Sequence, residues 1–280
     1  MLALLKRNFL LYLRNRSGVF FSLLGALISF ILYIIFLQKN LTDAWAQLPN
    51  SGPVLNSWLM SGTLAVTGIT TSLAALTQLV KDREHQVDQD LYLSDQGKWR
   101  LPFSYLTSAI IISFFMQALM YVLMCGYFRE VPTLSLLPEV LLIMLFSSLL
   151  SSLVNAIFVY FFHSVDSLGK FSTIVGTASG FLVGTYVPLG VLPDFAQLLM
   201  KCTPATYIAA LYRQVLMKEA VSEAFKGRDD LLREFQEKMG VQLKWQALLT
   251  KEQTYLIVLG GILLALGIWV SLAKRSNKRK

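Results

Sequence analysis

The chain has 280 residues, 55% of them apolar and only 15% charged, with a formal net charge of +8 and a mean hydropathy of +0.55. So large an apolar share excludes a soluble globular chain of this length, and the positive charge, with no basic-aromatic patch beside it, is poor grounds for a nucleic-acid partner. What remains is an all-α, multi-pass membrane protein whose charge reports topology and contact with anionic headgroups.

In chain order, residues 1–16 read as an amphipathic helix, with Leu2, Leu5, Phe9 and Leu13 on one face and Arg7, Asn8, Arg14 and Asn15 opposite; such a helix lies in the membrane interface. Six runs are then long and apolar enough to span: Ser17 to Phe36, Trp58 to Val80, Phe103 to Met124, Leu136 to Phe162, Phe171 to Leu192 and Thr254 to Ala273. Each is predicted helical, because hydrocarbon satisfies no free backbone group and no alternating strand pattern points to a barrel. The first is too long for a cleavable signal. The expected division is 17–192 for spans one to five, 193–253 for an outer segment with re-entrant helices, 254–273 for the last span and 274–280 for a basic tail.

Lys and Arg set the expected orientation. Lys6, Arg7, Arg14 and Arg16, the tail from Lys274 to Lys280, and Lys81, Arg83, Lys98 and Arg100 crowd the amino terminus, the carboxyl terminus and the 81–100 segment, whereas the 37–56 and 129–135 loops hold one basic residue each. Both termini and 81–100 are therefore expected inside. The 193–251 segment holds nine basic residues but is long and nearly balanced in charge, so the rule bears on it weakly.

Little in the chain can perform chemistry alone. "SLGKFS" around Lys170 lacks the first glycine and the final Ser/Thr of a phosphate loop. His85 and His163 have too few partners for a metal, and Cys125 and Cys202 have no redox or metal spacing; two buried thiols are expected, with a disulfide between them near the outer face as the alternative. No cofactor is expected in this chain.

Small and hydroxylated residues make stripes. Ser172, Gly176, Gly180 and Gly184 recur every four residues in the fifth span, and Thr63, Thr67, Thr70 and Thr71 line the second. Glu139, the one carboxylate within a span, sits near its outer end and is expected to snorkel. Past the fifth span, Pro193 is predicted to open a short helix bearing Phe195, Leu198 and Leu199, and Thr203-Pro204 to start another. From Asp229 to Met239, i,i+4 pairs (Asp229 with Arg233, Glu234 with Lys238) oppose a Leu231–Phe235–Met239 face up to a stop at Gly240, a soluble cap within the insert at 214–251.

The run "GFLVGTYVPLGVLPDFAQLLMKCTPATYIAALYRQVL", 180–216, resembles the signature region of type-2 ABC (ATP-binding cassette) exporter permeases, through Gly184, Pro188, Leu192, Pro193, Pro204, Tyr207 and Arg213. "KDRE", 81–84, is similar to the family's charged cluster before its coupling helix, and "KWR", 98–100, to its return to the third span; His85-Gln86 and Ser94-Asp95 depart from the usual Gly-Thr and Thr/Ser-Pro. The resemblance implies a coupling helix docking on a separate ATPase. Lys81, Asp82, Arg83, Glu84, Val87, Asp88 and Leu91 would serve there, Val87 and Leu91 one turn apart as the seat and Glu84, Asp88 and Asp90 as an acidic surround. It implies a path bordered by Thr63, Thr67, Thr70, Thr71, Gly176, Gly180 and Gly184 between two permease chains, more readily two identical ones, and an outer gate around Pro188, Pro193, Pro204 and Tyr207. Two ATPase copies would bind the ATP and Mg²⁺, so this chain would not itself be an enzyme, and a prokaryotic cytoplasmic membrane is the implied setting. The expected cargo is hydrophobic or amphipathic, such as a drug, an antimicrobial peptide, a toxin or a lipid-like compound, with a lipid-linked glycan as the other candidate. A receptor or immunity protein that binds such a ligand without moving it is the alternative.

Overall fold

The computed structural model describes residues 1–45, 51–93, 97–129 and 135–279. Ser94-Asp95 and Lys280 lie outside the described residues, as do the side chains of Lys98, Lys278 and Arg279. The chain order is α1 (Leu2–Arg14), α2 (Arg16–Leu32), a π-helical turn (Tyr33–Leu37), α3 (Gln38–Ala44), α4 (Ser51–Glu84), α5 (Val87–Leu93), α6 (Gly97–Phe128), α7 (Leu137–Val159), α8 (Val165–Leu182), a 3₁₀ turn (Leu189–Val191), α9 (Asp194–Lys201), α10 (Pro204–Leu216), α11 (Lys218–Ala224), α12 (Asp229–Lys238) and α13 (Lys251–Arg279). No strand occurs among the described residues; the one β-bridge joins Lys244 to Leu248.

Five helical stretches are long and apolar enough to cross a membrane: Arg16–Ala44, Ser51–Glu84, Trp99–Phe128, Leu137–Val159 and Lys251–Arg275. The expected span Phe171 to Leu192 is not continuous. Its helix begins earlier, at Val165, where the Ser164 hydroxyl accepts from the Ser167 amide, and it stops at Leu182. Gly184, at φ +71°, turns the backbone left-handed, and Pro188 follows.

The central element is α4, packed by α2, α6, α7, α8 and α10. Its most apolar window is 78% buried, against 22% for the peripheral Arg16–Ala44 and Lys251–Arg275 stretches, which are left for lipid to cover. Small residues let neighbours approach α4 closely. The Thr185 hydroxyl sits where a Cβ at Gly62 would lie 2.2 Å from it, and the Ser147 hydroxyl 2.6 Å from a Cβ at Gly68. Neutral polar groups tie the same helices together. Tyr212 donates to Gln117 Oε1 at 2.9 Å, Gln117 Nε2 to Ser148 at 2.8 Å, and Asn155 Nδ2 to Ile69 O and Ser72 Oγ, both at 2.8 Å. A polar group at this depth is tolerated when another helix answers it.

Two apolar clusters follow from this packing. One joins Trp58, Tyr207 and Tyr212 to Phe225, Phe235, Met239 and Val241. The 217–250 segment is therefore built onto the bundle as a cap. The other cluster, with Leu4, Leu76, Val80, Tyr105, Leu168 and Trp269, closes the opposite, basic end. There α1 turns Leu4 and Asn8 inward and leaves Leu2, Leu10 and Leu13 exposed, so the polar Arg7–Asn8 side, opposite the apolar face in the amphipathic pattern, faces the bundle. Asn8 finds Ser108 at 3.4 Å. Glu139 does not merely snorkel: Lys251, at the start of α13, donates to it at 2.8 Å.

The close approach at Gly62 gives a direct check. Gly62→Val is expected to lower stability in detergent by about 1–3 kcal/mol, the ordinary cost of overpacking. Gly126→Val, at a position where a Cβ meets nothing within 4 Å, should cost far less by thermal unfolding.

Candidate functional site

At the basic end the four residues Lys81 to Glu84 close α4, and three of them reach other elements. Asp82, 3% exposed, accepts from Arg7 Nη1 at 2.7 Å and Nη2 at 2.9 Å, from Gln78 Nε2 at 2.7 Å and from the Tyr105 hydroxyl. The hydrogen bond from Arg7 to this carboxylate raises the guanidinium's pKa above its ordinary value. One carboxylate thus joins α1, α4 and α6. Arg83 donates to Phe162 O at 2.7 Å and Tyr160 O at 3.3 Å, a cation set just past the carboxyl end of α7. Glu84 accepts from the Val165 amide at 2.9 Å, an anion at the amino end of α8. The sequence "KDRE" is a knot that ties the end of α4 to the middle of α1, the early turns of α6, the carboxyl end of α7 and the amino end of α8.

Helix α5 hangs directly from this knot through a turn in which Gln86 takes φ +58°, uncommon outside glycine. Two expectations about α5 change. Asp88 is buried, so it is no part of an exposed acidic surround, and Leu91 packs against the apolar cluster of its own chain. Val87 is half-buried, whereas Glu84, His85, Gln86, Gln89 and Asp90 are exposed. Among the described side chains of α5, the exposed ones, Gln89 and Asp90, are polar.

The expected path residues separate into two groups. Thr63, Thr67 and Thr71 are fully buried inside the chain, with Thr67 and Thr71 donating back to the carbonyls of Thr63 and Thr67 at 2.8 and 2.6 Å. Thr70 instead lines a groove of about 480 Å³ between α2, α4 and α8, together with Phe21, Gly25, Gly176 and Tyr186. The glycine stripe divides likewise. Gly176 faces that groove, Gly180 makes room for the ring of Tyr186, and Gly184 lies outside the helix. A second recess, about 440 Å³, opens between α4, α7 and α8, lined by Asn155, Phe158, Ile174, Ser179 and Cys202 among others. Neither Cys125 nor Cys202 is joined in a disulfide.

At the capped end Pro188 is buried, while Pro193 and Pro204 are exposed at the starts of α9 and α10. Thr203 precedes Pro204 as expected, but its hydroxyl donates back to Leu199 O at 3.0 Å and does not cap α10. Tyr207 donates to Lys201 O at 2.8 Å and accepts from Trp245 at 3.1 Å. In α12 the Glu234–Lys238 pair forms at 2.6 Å and the helix ends before Gly240. Sequence reasoning passed over Gln78, Tyr105 and Arg7 as a set, since they lie far apart in the chain. The only signal was an aspartate among bases at the end of an apolar span.

Five spanning stretches, the central one buried, with a charged knot at one end and a built-on cap at the other, define a multi-pass membrane protein. The model of the ABC-2 family transporter protein matches residues 36–269, most of the chain. The chain belongs to that family and is a transmembrane subunit of an ABC transporter. No curated protein matches it.

Removing one partner of a buried ion pair costs roughly 3–5 kcal/mol. Here the lower end applies, because the Arg7 side chain keeps 29% exposure beside 4% for Asp82. Asp82→Asn and Arg7→Gln should each destabilise the chain. The double variant should lose clearly less than the sum, as a thermal-unfolding double-mutant cycle will show.

Proposed function

We propose that this chain is the permease of an ABC exporter that moves a hydrophobic or amphipathic cargo outward, driven by ATP hydrolysis in two copies of a separate ATPase. The observation that carries the reading is α5: a short helix whose exposed described side chains, Gln89 and Asp90, are polar, fixed through the Asp82–Arg83–Glu84 knot to α1, α6, α7 and α8. Force applied to α5 by a partner reaches those helices through charged hydrogen bonds, without a flexible linker between. The groove holding Thr70 and Gly176 and the Asn155 recess are largely apolar with a few hydroxyl and amide groups, which suits an aliphatic or aromatic cargo better than a glycan.

In this reading α8 and the turns after it make the sixth crossing, with α9 and α10 as re-entrant helices on the outside. Both termini and α5 face the cytoplasm, a placement the distribution of Lys and Arg supports, and α1 lies in the inner interface with Leu2, Leu10 and Leu13 toward lipid. A second copy of the chain would face the exposed residues of α8, Ile174 and Phe181, and complete the path.

Co-expression with a candidate ABC ATPase subunit provides the test. Gln89→Trp with Asp90→Lys alters only the exposed side of α5. It should leave the permease in the membrane with unchanged thermal stability while weakening ATPase capture about tenfold or more. Unchanged capture would remove α5 as the docking helix, and the lack of any ATPase partner would favour a receptor that binds without transport.

A further inference from the structure

The capped end holds a buried cation whose hydrogen bonds go to no carboxylate. Arg213, in the last turn of α10, is 1% exposed. Its Nη1 donates to Gly240 O at 3.1 Å, and its Nη2 to Gly184 O at 2.8 Å and Val183 O at 3.1 Å. The Trp58 ring lies against the guanidinium, 5.1 Å from Cζ to the ring centroid. A lone buried charge is costly unless fixed dipoles answer it. Here the dipoles come from two helix ends.

Those two ends are built alike. After α8, the Gly184 amide donates to Phe181 O at 2.9 Å and the Thr185 amide to Gly180 O at 2.8 Å; after α12, the Gly240 amide donates to Glu237 O at 3.2 Å and the Val241 amide to Gln236 O at 2.9 Å. Both helices close with the same paired pattern and a glycine at positive φ, +71° at Gly184 and +63° at Gly240. The accepting carbonyls of Val183, Gly184 and Gly240 stand just past the carboxyl ends of the two helices, beside the negative ends of their dipoles, and the planar guanidinium fork spans them. Trp58 adds a strut from α4, donating to Met239 O at 2.7 Å.

We infer that Arg213 is a positioning residue that joins the end of α8 to the 217–250 cap, so that the two move as one part. The cap is then an extension of α8 and not an independent lid. A displacement of α8 leaves Val183 and Gly184 where the cap must follow or the guanidinium must give up its acceptors. The use of this joint in a transport cycle rests on the reading above; the joint itself does not.

The cap also touches the turn after α8 directly, since Gly190 packs on Lys238 so closely that a Cβ there would lie 2.6 Å from the Lys238 Cα. The test must separate that route from Arg213. Hydrogen exchange of the full chain in lipid nanodiscs, read at the amides of 184–186 and 240–242, does so with no cargo or ATPase present. Gly240→Ala strains a positive-φ position and places a Cβ 3.1 Å from Arg213 Nη1. It should speed exchange about tenfold at 240–242 and also at 184–186, across the joint. In the Arg213→Gln background the same substitution should still act at 240–242 but no longer at 184–186. The comparison in the Arg213→Lys background, which keeps the charge and loses the fork, serves if the glutamine variant does not fold. An equal rise at 184–186 with and without Arg213 would assign the link to Gly190 and Lys238 and overturn the inference, as would no rise at 184–186 in the native background. A failed ATPase-capture experiment leaves this result untouched.

Discussion

A carboxylate buried at the end of a membrane helix must be met by donors that cannot wander, and Asp82 is met by Arg7, Gln78 and Tyr105 together. The rest of the basic end depends on that arrangement. It holds α1 against α4 and α6, and with α4 so fixed, Arg83 and Glu84 fall at the end of α7 and the start of α8, where their charges oppose the helix dipoles. Broken, this set leaves a buried charge unpaired; whole, it makes several helix ends behave as one piece.

The capped end solves the opposite problem with the opposite charge. There a cation is buried, and the carbonyl ends of α8 and α12 receive it. Between the two ends the bundle carries no buried ion pair among the described residues. Its polar contacts are neutral, as at Gln117, Ser148, Asn155 and Tyr212, and they fix how the helices pack without the desolvation cost of charge. Both charged joints therefore involve α8, one at its amino end through Glu84 and one at its carboxyl end through Arg213, while α4 lies beside both.

How far the sequence disclosed this depended on the range of each interaction. Helix positions, the stop at Gly240, the short helices after Pro193 and Thr203 and the Glu234–Lys238 pair are local, and they were legible from residues a few places apart. The broken fifth span was readable in principle, since Gly184 with Pro188 four residues on is a helix-ending pattern, but the four-residue spacing of Ser172, Gly176, Gly180 and Gly184 competed with it. The inward face of α1 was not readable. Amphipathic pattern alone puts Arg7 and Asn8 toward water, and only Asp82 and Ser108, 75 and 100 residues away, turn that side inward. The family was legible from the 180–216 run and "KDRE", yet what those charges touch was not, because their partners lie on other helices. The threonine stripe shows the same limit, with spacing that gave one line of hydroxyls and packing that sends Thr70 to a groove and Thr67 to the core.

The charged segment at 81–91 is tied inward and leaves only part of itself exposed. Cysteine substitution at each of these positions, with an impermeant maleimide applied to inside-out vesicles, measures this directly. Fast labelling is expected at 85, 86, 89 and 90, which are exposed, and slow labelling at 82, 88 and 91, which face the bundle. Labelling at 82 and 88 as fast as at 89 and 90 would contradict the knot and return the whole stretch to a solvated loop.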